Sequence, residues 1–179
     1  MIDDNKRLIK LWAVRIILIA LIVLWMGTIF GFSSENGEQS QSLSDKITIK
    51  VVHVLNDSYD MMEPDQQQDY FNTVSFFVRK TGHFGEYGIL GVLIAALLMT
   101  FEKIRKIKKE GTIPVLLTAI IGMLYAATDE FHQGFVDGRS PKVMDVCIDT
   151  AGTFTGALFL TMIWLLIFRR KRKNVGKQY

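Results

Sequence analysis

Charge is missing from four long stretches of this 179-residue chain, and internal disulfide chemistry is excluded. The single cysteine, Cys147, has no partner within the chain, so we expect it to pack as a small residue near a helix end. The four uncharged stretches are residues 16–32, 87–101, 113–128 and 150–168.

These stretches contain apolar runs of about 15 to about 19 residues, whereas a helix that crosses a bilayer needs roughly 20. Each helix must therefore take a few residues from its flanks. The alternative, that the two shorter runs are buried helices of a soluble protein, requires far more polar surface than a 49% hydrophobic chain provides. The sequence predicts an all-α membrane protein with one domain over 1–179 and spans at about 12–32, 83–101, 113–132 and 147–168.

A cleavable signal peptide is not indicated. The first apolar run follows basic residues, as a secretory signal does, but it is too long for one. The sequence "FGFSSE" that follows offers no small-x-small cleavage site. We therefore predict an uncleaved first span.

The balance of charge alternates from one connection to the next. Four bases and two acids precede the first span, five bases and two acids occupy 102–112, and six bases without an acid occupy 169–179. In contrast, 33–82 holds eight acids and four bases, and 129–149 holds five acids and two bases. Because basic connections stay inside, we predict a multi-pass protein of the bacterial inner membrane with both termini cytoplasmic. The basic tail adjoins a span, so we interpret it as a membrane-surface anchor and predict no nucleic-acid partner.

The long connection after the first span shows helical periodicity. It predicts a second helical segment that starts near Asp65 and ends or bends at Thr81–Gly82, after a break over 56–64. Before the break, a strand over 47–54 is the alternative to a helix, but its alternation fails at Val51–Val52. An apolar stripe instead predicts an amphipathic helix over about 42–56, lying on the outer leaflet: Leu43, Ile47, Val51, Val54 and Leu55.

The short connection before the fourth span carries turn chemistry in "VDGRSP". Asp137 and Gly138 predict a tight turn. Ser140 is then a helix N-cap and Pro141 the first helical residue, so the fourth helix is expected to start near Pro141.

Several catalytic and binding motifs are absent. There is no G-x-S-x-G nucleophile elbow, no glycine-rich phosphate loop, no cysteine pair and no His-Glu-x-x-His. The sequence therefore names no metal and no cofactor. Internal repeats and low-complexity tracts are also missing.

Polar side chains on three predicted helices fall at one membrane boundary. On the second helix, His83 is one turn from Glu86 and Tyr87. On the third, His132 lies beside one narrow sector that holds Gly122, Tyr125, Ala126, Asp129 and Gln133. On the fourth, one sector pairs two acids with a small-xxx-small contact face: Asp145, Asp149, Gly152 and Gly156.

Unpaired carboxylates at this depth cost a few kcal/mol at least, so the deepest two, Glu86 and Asp149, must be paired, protonated or cation-bound. Three interpretations stay open. The first is a closed structural salt-bridge network. The second is a pocket for a polar headgroup, in which His83 beside Glu86, or His132 near Asp129, forms an acid–base pair. The third is a metal site, since carboxylate and imidazole ligands are present.

Three segments resemble the VanZ-like family, named after the teicoplanin-resistance membrane protein: "FSSENGEQSQSLS", "RKTGHFGEYGILG" and "YAATDEFHQGFVDGRSPKVMDVCIDTAGTFTG". The resemblance covers about 32–156, and the long acidic loop 36–79 is its least family-like part. Polar positions stand in the family's order and spacing: Lys80, His83, Glu86, Tyr87, Asp129, Glu130, His132, Gln133, Arg139, Asp145, Asp149 and Gly152. The serine-rich exit from the first span also fits the pattern, which adds Ser33 and Ser34 to the candidate site.

The resemblance implies a bacterial membrane protein associated with lowered susceptibility to teicoplanin-type glycopeptides, and it implies no particular reaction. From the resemblance and the polar sectors together, we predict that the partner is a membrane lipid or lipid-linked envelope precursor. It would be bound or modified in an outward-facing pocket. Candidate catalytic groups are His83, Glu86, Asp129, His132 and Asp149. Candidate ligand-binding groups are Lys80, Tyr87, Glu130, Gln133, Arg139, Asp145, Ser33 and Ser34. A non-enzymatic accessory protein with a structural salt-bridge network is the alternative. A transporter is disfavoured because the spans carry no charge below the boundary.

Overall fold

The computed structural model describes residues 2–34, 37–106 and 111–175. All regular secondary structure in those ranges is helical. Residues 176–179 of the predicted basic tail lie outside the described residues. A 3-10 turn over Tyr59–Met61 separates the second and third of six α-helices: α1 (Ile2–Ser34), α2 (Gly37–Leu55), α3 (Pro64–Met99), α4 (Glu102–Lys106), α5 (Thr112–Gln133) and α6 (Val143–Val175).

Four of the described helices are long and apolar enough to cross a membrane, which confirms the four predicted spans. Their candidate spans are Asp4–Ser34, Pro64–Met99, Thr112–Gln133 and Val143–Ile167. At 1.5 Å per residue, α1 rises about 27 Å between Arg15 and Ser33, close to the hydrocarbon thickness of a bilayer.

The contact between α3 and α6 is the most extensive in the bundle, and α5 packs against both. Glycines make the contact close. A Cβ at Gly152 would overlap the carbonyl oxygen of Phe84, and a Cβ at Gly156 would overlap that of Gly88. The predicted small-xxx-small face of α6 is therefore the surface on which α3 packs.

Helix α2 and the first half of α3 form an antiparallel hairpin. Their contact buries Val52, Tyr59 and Val74 in one cluster. Residues 47–54 are helical, as predicted, which excludes the alternative of a strand. Of the predicted stripe, Val51 packs in this cluster beside the buried Val52, whereas Ile47, Val54 and Leu55 are exposed. The helix α3 does not end at Thr81–Gly82, one of the two predicted possibilities, because it continues from Pro64 to Met99.

Arg15 fixes α1 against the other end of α3. Its guanidinium donates to the Thr100 hydroxyl and to the Thr100 carbonyl, both at 3.0 Å, and lies 4.0 Å from the ring centroid of Phe101. Thr100 is the C-cap of α3, where backbone carbonyls have no partner within the helix. This contact fixes the height of α1 and therefore the level at which Ser33 meets α5.

Two details near α6 differ from expectation. The helix begins at Val143 rather than near Pro141, and the N–H of Lys142 donates to the Glu130 carboxylate of α5. Ser140 and Pro141 therefore precede the helix, while Gly138 adopts the expected left-handed turn with φ of 75°. Cys147 is exposed on the outer surface of the bundle and does not pack inside it.

Candidate functional site

Polar turns of four helices meet at one end of the bundle. The C-terminal turns of α1 and α5, the first turns of α6 and the middle of α3 contribute to it. Each is held by a contact to another helix: Ser33 to Asp129, Lys80 to Asp145, and His83 to Asp149. The predicted convergence of the charged sectors is present in the structure.

Asp129 is the centre of a buried network between α1, α3 and α5. Its Oδ2 accepts hydrogen bonds from the Ser33 hydroxyl at 2.6 Å and from Gln133 Nε2 at 3.3 Å, and the Tyr87 hydroxyl lies 3.5 Å away. Gln133 Nε2 also donates to the Ser33 oxygen at 3.1 Å. The Asp129 side chain is therefore almost fully enclosed, and its Oδ1 has no hydrogen-bond partner among the described residues.

Arg139 extends this network towards the surface. Its two terminal nitrogens donate to the Gln133 amide oxygen at 3.3 Å and to the Phe32 carbonyl at 3.0 Å. The loop between α5 and α6 is thereby tied to the end of α1.

His83 of α3 faces Asp149 of α6. The distance from His83 Nδ1 to Asp149 Oδ1 is 3.5 Å, within reach of an ion pair, although the angles do not meet those of a hydrogen bond. The Asp149 side chain is 1% exposed, and that of His83 is 25% exposed. A buried carboxylate is therefore matched with the one imidazole that approaches it among the described residues.

A second ion pair joins α3 and α6 one turn nearer the surface, between Lys80 Nζ and Asp145. Both side chains are largely buried. Close by, Glu130 accepts the N–H of Lys142 through one oxygen, while its Oε2 has no hydrogen-bond partner among the described residues. These contacts fix the start of α6 relative to α3 and α5.

A cavity of about 460 Å³ opens among these groups. That volume lies within the range of small-molecule sites. Its lining comes from α1, α2, α3, the end of α5, the α5–α6 loop and the start of α6. The predicted site residues on its wall are Ser33, Lys80, His83, Glu86, Gln133, Arg139 and Asp145.

The described part of the cavity wall carries more positive than negative charge. Four Lys and Arg side chains line it, namely Arg79, Lys80, Arg139 and Lys142, against the carboxylates of Glu86 and Asp145. Apolar residues complete the wall: Ile29, Phe32, Ile47, Phe76, Val78 and Met144. A cationic patch with an apolar border is chemically matched to an anionic headgroup attached to a hydrocarbon chain.

Other predicted site residues lie behind the wall or away from it. Four form the buried layer behind the cavity: Tyr87, Asp129, Glu130 and Asp149. His132 and Ser34 are directed elsewhere. The His132 ring stacks on Phe30 with centroids 4.3 Å apart, and its Nε2 lies 3.3 Å from the Ser34 hydroxyl. The partner of His83 is thus Asp149 rather than Glu86, and His132 does not approach Asp129.

Sequence reasoning missed part of the wall. Arg79 and Lys142 line the cavity but are not among the predicted site residues. Gln41 and Ser44 were missed because the helix predicted over about 42–56 was expected to lie on the outer leaflet and not over the site. The signal that could have found them is the apolar face of α3 before Gly82, which predicts that α2 folds back on this part of α3 as a hairpin.

The metal interpretation receives no support from the structure. Among the described residues, no group of three or more His, Cys, Asp or Glu side chains is arranged to hold an ion. His83 and Asp149 supply two such ligand types, and Asp129 directs its Oδ2 towards Ser33 and Gln133 instead.

Comparison with known proteins agrees with the resemblance of the three sequence segments. A family model described as VanZ/LLP1 matches residues 18–168, which extends past those segments into the first and fourth spans. Searches of the curated proteins and of the solved structures gave no match. Because the family match covers most of the 179 residues, the chain belongs to the VanZ/LLP1 family.

Proposed function

We propose that the cavity binds the anionic headgroup of a membrane lipid or lipid-linked envelope precursor. The observation that carries this proposal is the charge of its wall at the end of four apolar helices, where the residues that the structure describes supply four cations and two carboxylates. Arg139 and Lys80 are the cations that hold the anionic group. The apolar border receives the first part of the hydrocarbon chain.

The charge pattern supports an outward-facing cavity. The start of α1, the short helix α4 and the end of α6 are basic, and all three lie at the opposite end of the helices. By the positive-inside rule that end is cytoplasmic, in a bacterial inner membrane. A headgroup site on the outer face places the protein where it alters access of teicoplanin-type glycopeptides to lipid-anchored targets, which lowers susceptibility.

Lipid retention tests the binding site. The full chain is purified into lipid nanodiscs from bacterial membranes, and mass spectrometry quantifies the lipids that remain bound. Arg139→Gln removes a charged hydrogen-bond donor, worth about 1.5–3 kcal/mol, so we expect retention of the anionic species to fall roughly tenfold or more. Lys103→Gln makes the same charge change on an exposed side chain of α4 and should have no effect.

A second candidate function is a non-enzymatic accessory role with the polar cluster as a structural network. The pairing of Lys80 with Asp145 favours it, because these two lining groups already satisfy each other. The double variant Lys80→Met with Asp145→Leu discriminates the two. A structural pair is replaceable by apolar residues of similar size, so lipid retention and glycopeptide susceptibility would stay unchanged. Under the headgroup proposal both change.

A further inference from the structure

The cavity wall contains an imidazole supported from behind by a buried carboxylate. His83 lines the cavity, and its Nδ1 is buried next to Asp149 Oδ1. Neither atom has a hydrogen-bond partner among the described residues. The 3.5 Å separation closes to a hydrogen bond with a small rotation of the ring, and catalytic contacts are commonly long before a ligand binds.

The position of this pair is fixed by backbone packing. Gly152, one turn after Asp149, meets the carbonyl of Phe84, the residue after His83. Gly156 meets Gly88 in the same way one turn further along both helices. Because these contacts are between main chains, α3 and α6 cannot separate or slide without losing them. The imidazole and the carboxylate therefore stay in register.

This arrangement selects one tautomer of the ring. Asp149 accepts a hydrogen bond, so it favours the neutral form that carries its proton on Nδ1. The unprotonated Nε2 is then the nitrogen available to the cavity, since Nδ1 is the buried one. An imidazole with a free Nε2, oriented through Nδ1 by a buried carboxylate, has the geometry of a general base.

We infer that His83 is the catalytic base of a hydrolytic site for a phosphate ester or anhydride, and that Asp149 is its positioning residue. This inference rests on the proposed headgroup cavity, whose cations Arg139 and Lys142 stabilise the charge on the phosphoryl oxygens. A water molecule is the co-reactant. Its oxygen forms a bond to phosphorus while His83 Nε2 takes one of its protons. The bond from phosphorus to the leaving oxygen breaks, that oxygen keeps the electron pair, and His83 returns the proton to it.

Mass spectra of lipids and lipid-linked precursors extracted from expressing cells test the reaction. We expect His83→Gln and Asp149→Asn each to reduce the hydrolysed species at least about a hundredfold, the usual contribution of a general base, with its phosphorylated precursor accumulating. The matched control is His53→Gln. His53 forms the other histidine–aspartate contact, to Asp60 at 3.2 Å, but it is exposed on the hairpin outside the cavity. We expect it to match the wild-type profile.

A spectroscopic measurement tests the role of Asp149 independently of any substrate. The chain has three histidines, so a spectrum with ¹⁵N-labelled histidine can be assigned with single substitutions. In the neutral wild-type protein we expect His83 to carry its proton on Nδ1. Asp149→Asn should mix the two tautomers, whereas Asp60→Asn should leave the signals of His83 unchanged. A purely structural role for Asp149 would not move this readout.

The outcomes separate the inference from the proposal beneath it. Identical lipid profiles for wild type and His83→Gln would overturn the hydrolytic role, while loss of bound lipid in Arg139→Gln would still support the headgroup cavity. An unchanged tautomer in Asp149→Asn would overturn the positioning role. If Arg139→Gln retains lipid like wild type, the headgroup proposal itself fails. Each variant is first checked for folding by its unfolding transition, and Asp149→Asn replaces His83→Gln should the latter not fold.

Discussion

Replacement of Gly156 by alanine is the most direct test of the packing that sets the site. An added Cβ would overlap the Gly88 carbonyl oxygen and would lie 3.2 Å from the backbone nitrogen of Val92. Both neighbours are main-chain atoms of α3, so neither can rotate away. Overpacking of this kind costs about 1–3 kcal/mol, and we expect Gly156→Ala to lower the free energy of unfolding by that amount.

The matched control is Gly85→Ala on α3, at a position that faces open space. No atom lies within 4 Å of a Cβ built at Gly85. Because alanine is the better helix former, this variant should instead raise the free energy of unfolding by about 0.5–1 kcal/mol. The same glycine-to-alanine change on two neighbouring helices should therefore alter the free energy of unfolding in opposite directions.

Reversible unfolding in mixed micelles, followed by far-ultraviolet circular dichroism, measures both variants against wild type. Lipid retention is recorded alongside, since separation of α3 from α6 would also move His83 away from Asp149. Equal stability of Gly156→Ala and Gly85→Ala would refute the close contact of the helices. So would a stabilised Gly156→Ala.

Two further predictions concern the hairpin and the orientation. Hydrogen bonds to the Ile49 carbonyl and then to Asp60 raise the pKa of His53 above its ordinary 6.5, so its contribution to stability is present below pH 6.5 and is lost as the pH rises through the higher folded-state pKa. The difference in melting temperature between wild type and His53→Gln should shrink as the pH rises from 6.5 through the folded-state pKa. A difference that stays constant over this pH range would contradict the prediction. In a Cys147→Ser background, a membrane-impermeant maleimide should label Asp137→Cys in intact cells and Lys103→Cys only after permeabilisation, and the reverse pattern would invert the topology.

The spans and the polar sectors were predictable from the sequence because each depends on local properties. An uncharged run of sufficient length specifies a membrane helix, and a period of 3.6 residues places Asp129 with Gln133, or Asp145 with Asp149, on one side. All four of these side chains are buried, as the shared sectors predict.

The pairing of residues between helices was not predictable, because it depends on how each helix rotates against its neighbour. His83 is one turn from Glu86 on the same helix, and it meets Asp149 only because glycines allow α6 to approach. His132 lies at the edge of the Asp129 sector, and its ring stacks on the exposed Phe30 ring of α1. A single sequence contains the small residues that permit close contact but does not specify which turns face each other.

The unbroken course of α3 makes the hairpin and the membrane part of the helix one mechanical lever. From His83 to Pro64 the helix extends about 28 Å, at 1.5 Å per residue. A tilt of about ten degrees around the level of His83 would therefore displace the far end by about 5 Å. Because α2 is packed on that arm and contributes Gln41, Ser44 and Ile47 to the cavity wall, a push at the tip would change the width of the entrance.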